Sequence, residues 1–118
     1  MTPFRAIPLA VHGVIEIVAA PALIAAPFLL GFGQATGAAS MALGAMLMGL
    51  ALSTHVDQRT IPLSAHAGFD YVIGALTVFA GLVLGIAGDE PLATAFLAGF
   101  GAAHLAMTAS TRFTVRGP

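Results

Sequence analysis

Two stretches of this chain carry residue types suited to chemistry, and both use the same spacing. His12 and Glu16 stand four residues apart, as do His66 and Asp70. On a helix that spacing puts both side chains on one face, within reach of each other. A further imidazole, His104, lies in an apolar run nearer the C-terminal end. Such a set could serve four chemistries. The first is a b-type haem held between His12 and His66 as axial ligands, with Glu16 and Asp70 accepting the outer ring N–H groups or meeting a propionate. The second is a transition metal ligated by His12 and His66 with carboxylate help. Helix-bundle carboxylate sites use Glu-x-x-His, however, and the order here is His-x-x-x-acid. The third is a proton or ion path, and the fourth a quinone pocket with an imidazole donating to the carbonyl. Against all four stands a plain alternative, in which the pairs are staples fixing helix register, each worth about 0.6 kcal/mol in a membrane. For His104 the packing alternative is the stronger one, because its repeat counterpart is Gly49.

The elements that must position these residues are apolar and long. Of the 118 residues, 58% are hydrophobic and 8% charged, roughly a third of the charge carried by a soluble domain. The mean hydropathy is +0.98. Four Arg, no Lys and five acids cannot cover a globule in water, which excludes a soluble enzyme, a nucleic-acid binder and a disordered linker. Without cysteine there is no disulfide frame, thiolate nucleophile or zinc knuckle. Four stretches approach the length of about 20 residues that crosses a hydrocarbon core: about Pro8 to Leu30, Ala35 to Leu52, Pro62 to Ala87 and Pro91 to Met107. Helices are required, since lipid leaves few other ways to satisfy so much backbone. Pro8, Pro62 and Pro91 are read as first-turn residues. Pro21 and Pro27 are expected to bend or end the first helix. Asp89 and Glu90, just before Pro91, are read as acids serving the start of the fourth helix.

A four-span arrangement puts Arg5, Arg59, Arg112 and Arg116 on one side and Asp89 with Glu90 on the other. By the positive-inside rule both termini are cytoplasmic, in a bacterial inner membrane. His12 then lies roughly 6 Å and Glu16 roughly 12 Å beyond Pro8, with His104 roughly 8 Å before Ala109 on the returning fourth span. All five ionisable groups share a depth in the cytoplasmic half. His55 and Asp57, beside Arg59, read as a solvated loop of mixed charge.

The segment Ile7 to Val18 overlays Ile61 to Val72 at a constant offset of 54, matching Ile, Pro, Leu, His and Val and setting acid against acid. Leu30-Gly31 falls on Leu84-Gly85, and Leu50-Ala51-Leu52-Ser53 falls one residue out of register on Leu105-Ala106-Met107-Thr108. This is a duplicated two-helix hairpin, residues 1–55 and 56–118, with both copies in one orientation about an axis along the membrane normal. Two copies of Ile-Pro-x-x-x-His-x-x-x-(Asp/Glu), the first followed by Ala26-Pro27-Phe28 and Gly31-Phe32, resemble the bacterial SPW-repeat membrane proteins. In the second copy the turn motif is reduced to Ala80-Gly81-Leu82. The resemblance implies a small four-span protein and leaves its activity open.

The fold expected is therefore all-α, an integral membrane four-helix bundle made of two parallel two-helix hairpin repeats. The expected role is a small binding or accessory protein rather than an enzyme, with a cofactor site of His12, Glu16, His66, Asp70 and His104 between the repeats and haem b as the first ligand considered. The rivals are a proton-coupled carrier or channel and a purely structural subunit. Small-xxx-small spacings such as Gly81 with Gly85, Ser40 with Gly44, and Gly99 with Ala95 and Ala103 serve packing inside the bundle or an outward stripe. The bundle is thin, so a homo-oligomer or a larger membrane complex is expected, with the lipid bilayer as its surroundings.

Overall fold

The computed structural model describes residues 5–53 and 61–114. His55, Asp57, Arg59 and Arg116, and with them the junction between the two repeats, lie outside the described residues. Four helices make up the fold: α1 (Leu9–Leu30), α2 (Gln34–Leu52), α3 (Leu63–Ala80) and α4 (Pro91–Ala109). A π-helical stretch, Gly81–Gly85, prolongs α3. All four are long and apolar enough to cross a membrane. At 1.5 Å per residue they run about 28–35 Å, matching a hydrocarbon core of about 30 Å.

The distribution of polarity is that of a protein bathed in lipid. Val18, Phe28 and Leu29 are 69%, 74% and 80% exposed, while His12, Glu16, Ser40, His66, Asp70 and Thr77 are buried. In water this surface would be a single large sticky patch. In a bilayer the outward side chains meet hydrocarbon, and the polar groups meet one another.

The two hairpins start alike. Pro8 and Pro62 are extended, at φ/ψ of −64/151° and −61/152°, and each stands immediately before its helix. They are therefore cap residues one step outside the helix, whereas Pro91 does occupy the first turn. Helix α1 runs unbroken through Pro21 and Pro27 and stops at Gly31, whose φ of +71° suits glycine. There the carbonyl of Pro27 accepts the N–H groups of Gly31 and Phe32.

Helices α1 and α2 pack as one hairpin and α3 with α4 as the other. Glycines permit the close approach. A Cβ on Gly44 would lie 2.7 Å from Ile24, one on Gly81 2.7 Å from the backbone of Ala98, and one on Gly101 2.7 Å from the carbonyl of Gly74. Gly81 and Gly85 thus serve packing within the second hairpin. Gly99 is different, exposed and with open space around it. Ser40 adds a hydrogen bond to the carbonyl of Leu23 across the first hairpin, 2.6 Å.

The chain enters α1 and leaves α4 at the same end of the bundle, where Ile7–Pro8 (β1) and Thr111–Arg112 (β2) form a short parallel bridge. Arg5 and Arg112 belong to this end. The other end carries the turns 31–33 and 88–90. There Glu90 reaches across to α2, with its carboxylate accepting from the N–H of Gly33 (2.6 Å) and the hydroxyl of Thr36 (2.9 Å). This corrects the expectation for Glu90: its side chain serves the start of α2 and so ties one hairpin to the other. Asp89 sits in the turn at φ +52°, also outside the first turn of α4. Between the ends, Ala20, Leu23, Leu43, Leu47, Ile73 and Leu97 close the core.

Candidate metal centre

His12 and Glu16 lie one turn apart near the start of α1, and His66 and Asp70 hold the same places on α3. The i, i+4 spacing aims each pair inward. Because the two hairpins run parallel, the pairs meet. His104 joins them from α4, one turn before Thr108. The five side chains that the sequence singled out are all buried and come together in one cluster.

Four contacts link the two imidazoles to the two carboxylates. Nε2 of His12 is 3.0 Å from Asp70 Oδ2 and 3.2 Å from Glu16 Oε2. Nε2 of His66 is 3.1 Å from the same Asp70 Oδ2 and 3.4 Å from Glu16 Oε1. His104 Nε2 sits 3.1 Å from Asp70 Oδ1 and 3.8 Å from Glu16 Oε2. Asp70 is thus the hub, touching all three rings. One ligand atom each from His12, Glu16, His66 and Asp70 can be chosen so that all lie within 4.8 Å of one another.

The outer nitrogens fix which atom of each ring faces the centre. The hydroxyl of Thr111 donates its hydrogen to the carbonyl of Met107, 2.7 Å away. It can therefore only accept from His12, so His12 Nδ1–H donates to Thr111 Oγ1 over 2.8 Å. Ser53 repeats the device in the other direction. Its hydroxyl donates to the carbonyl of Leu50 (2.6 Å), and Oγ accepts more loosely from His66 Nδ1 at 3.5 Å. Each imidazole is therefore oriented by a hydroxyl from the end of the opposite hairpin, the kind of support that ligating histidines use. With Nδ1 carrying hydrogen, Nε2 presents either a second N–H or a free lone pair to the carboxylates.

The donors do not satisfy the acceptors. Both oxygens of Glu16, together with Nε2 of His66, are buried without a hydrogen bond among the described residues. They are near neighbours whose directions do not match. A buried carboxylate left so is costly, by about 1–3 kcal/mol or more. Phe113 closes the cluster at the arginine end, with its ring edge-on to His12 at 5.2 Å and tilted to His66 at 6.1 Å.

The sequence named the five ionisable groups but not their supports. Glu16 and Asp70 meet the inner nitrogens of the imidazoles, whereas the haem alternative alone set them on the outer ring N–H groups or on a propionate. Ser53 was visible as a member of the repeat. Thr111 was not, because the repeat alignment points to Thr108, three residues earlier. Phe113 lies beyond the last span and carried no signal. No protein-family model matches this chain, and neither a curated protein nor a solved structure matches it.

Proposed function

We propose that this is a small membrane-embedded binding protein whose site, shared between the two hairpins, holds one divalent transition-metal ion on His12, Glu16, His66 and Asp70. The observation that carries this reading is the pair of unsatisfied Glu16 oxygens, buried beside imidazole nitrogens that other groups have already turned inward. A tetrahedral ion with bonds of about 2.0–2.1 Å separates its ligand atoms by roughly 3.3 Å. The imidazole–carboxylate contacts run from 3.0 to 3.4 Å, those to Glu16 through its two different oxygens, and one ligand atom per residue can be chosen with all four within 4.8 Å. Two carboxylates and two neutral imidazoles balance a 2+ charge, and nitrogen with oxygen ligands in this geometry suits Zn²⁺ first. Haem is the weaker fit. Asp70 Oδ2 lies within 3.0–3.1 Å of both Nε2 atoms, in the plane where a macrocycle between two axial imidazoles would have to pass.

A second reading has the same groups share protons, with imidazolium N–H groups in place of the ion. The short contacts from Asp70 to three rings favour it. Carriage across the membrane needs a polar route onward, and the core beyond Asp70 is filled by Leu23, Leu47, Ile73 and Leu97; binding is favoured over passage. By the distribution of arginine, we place the site near the cytoplasmic face of a bacterial inner membrane. Kinship with the SPW-repeat proteins is proposed on the duplicated His-x-x-x-acid hairpin alone.

The test uses Co²⁺ as a coloured stand-in and Zn²⁺ as competitor, on protein purified in mild detergent and stripped with chelator. One equivalent of Co²⁺ should give the intense visible absorption of a tetrahedral complex. Zn²⁺ should abolish it, and His66→Ala should lack it. A folded protein that binds neither ion overturns the metal reading. A bis-histidine haem spectrum lost in His12→Ala and in His66→Ala would replace it with haem.

A further inference from the structure

A second polar site lies at the arginine end of the bundle, beside the five clustered groups and sharing Phe113 with them. A cavity of about 350 Å³ is lined by Arg5, Ser64, Ala67, Tyr71, Thr108 and Phe113. Its size is at the small end of ligand pockets. Ser64, Ala67 and Tyr71 stand at i, i+3 and i+7 and form one face of α3, next to the face that carries His66 and Asp70. Thr108 comes from the last turn of α4, and Arg5 and Phe113 come from the segments flanking the short parallel bridge. Thr108 is 1% exposed, yet its hydroxyl has no hydrogen-bond partner among the described residues. A threonine in a helix ordinarily gives that hydrogen to the carbonyl four residues back, as Thr77 does to Ile73 (2.7 Å). Of the described acids, Glu16 and Asp70 face imidazoles, Glu90 meets the start of α2, and Asp89 sits in the turn at the opposite end. Among the described residues no carboxylate lines the cavity. The polar side chains among its described lining residues are one guanidinium and three hydroxyls.

We propose that this cavity is an anion site that binds a phosphate group, with Arg5 supplying the charge-assisted hydrogen bonds, Ser64 and Tyr71 donating from the walls, and the Thr108 hydroxyl buried behind them. Guanidinium matches phosphate in charge and in fork geometry. Ala67 and the Phe113 ring leave an apolar wall for whatever carbon skeleton bears the phosphate. Beside a membrane face, that group can arrive on a lipid headgroup or as a free phosphate. The proposal does not depend on the metal reading, although Phe113 is a wall common to both sites.

The chain carries its own probe. It has one tyrosine and no tryptophan, so its intrinsic fluorescence reports on Tyr71 alone. The purified protein in neutral detergent is titrated with inorganic phosphate and, separately, with short-chain phosphatidic acid, with the matching diacylglycerol as control. A saturable change in emission with phosphatidic acid but not with phosphate assigns a lipid headgroup; equal responses assign a free phosphate. Diacylglycerol should give none. Arg5→Gln should weaken binding by about tenfold or more, and Ser64→Ala by a smaller factor. Glu90→Gln, at the opposite end of the bundle, should leave the titration unchanged. Absence of a saturable response from folded protein to either ligand overturns the proposal. So does a response of full strength in Arg5→Gln, or an equal one to diacylglycerol.

Discussion

Each end of the bundle uses an acid to join the hairpins, and the two acids are treated differently. At the turn end, the Glu90 carboxylate accepts from the Gly33 N–H and the Thr36 hydroxyl. Donors aimed at it are in place, and it caps a helix start that would otherwise expose N–H groups. That is a staple. At the arginine end, Asp70 is surrounded by three imidazoles, while Glu16 is just as deeply buried and, beside imidazoles at 3.2 and 3.4 Å, has no directed hydrogen bond among the described residues. A second staple there would have come with donors directed at both acids. The difference separates a carboxylate that holds the fold together from one positioned for something the fold itself does not supply.

The largest break expected is Asp70→Ala. It removes the one group that touches His12, His66 and His104 together, and it leaves imidazoles buried without an acceptor. Truncating one partner of a buried charged network costs about 3–5 kcal/mol. Unfolding in mixed micelles with increasing dodecyl sulfate, followed by circular dichroism, should show a shift of that order, and Co²⁺ binding should vanish. If the loss is only a few tenths of a kcal/mol, Asp70 is not the hub.

Glu90→Ala tests the other end. Two hydrogen bonds to a charged acceptor disappear and the start of α2 loses its cap, a cost of about 2 kcal/mol by the same unfolding measurement. Metal affinity should not change, because the site lies at the opposite end. A large drop in affinity would mean that the two ends are mechanically one unit, and the comparison would fail.

Thr111→Val is smaller again. It withdraws the acceptor that keeps His12 Nδ1–H in place while preserving side-chain shape. The stability cost should be about 1 kcal/mol, and Co²⁺ affinity should fall by about tenfold, the lower end for loss of a ligand's orienting partner. Ser53→Ala, whose contact with His66 is looser at 3.5 Å, should do less. Equal effects would show that the two hairpins orient their imidazoles equally firmly.

Much of this was legible in the sequence, for physical reasons. Lipid permits so few backbone solutions that apolar length alone indicated four helices. The duplication set both hairpins in one orientation, and the i, i+4 pairs had to face inward because ionisable groups are expelled from hydrocarbon. What stayed hidden depended on which atom of a side chain points where. Glu90 looked like a helper of its own helix because sequence proximity to Pro91 suggested it. Its true partner, α2, begins more than fifty residues earlier and is brought near only by packing. Thr111 and Phe113 lie beyond the last apolar run, where no periodicity marks a residue as buried. The convergence of five polar groups could be anticipated from depth, but the missing donors around Glu16 could not.

The last prediction, Glu16→Gln, has the smallest effect on stability and decides most. If Glu16 were a staple like Glu90, losing its charge would weaken the fold by more than about 1 kcal/mol. Among the described residues its oxygens have no directed hydrogen bond to lose. Glutamine keeps the shape and brings N–H groups that can donate to the Asp70 carboxylate nearby. In metal-free protein the change in stability should therefore fall within about 0.5 kcal/mol of zero or be a gain. Metal binding should respond in the opposite sense, since an amide is a far poorer ligand than a carboxylate and the charge balance of the site is lost. Co²⁺ affinity should drop by about a hundredfold or more. A variant as stable as the parent but unable to hold the ion would show that this carboxylate is placed for a ligand. A variant that loses both together would make Glu16 a second Glu90.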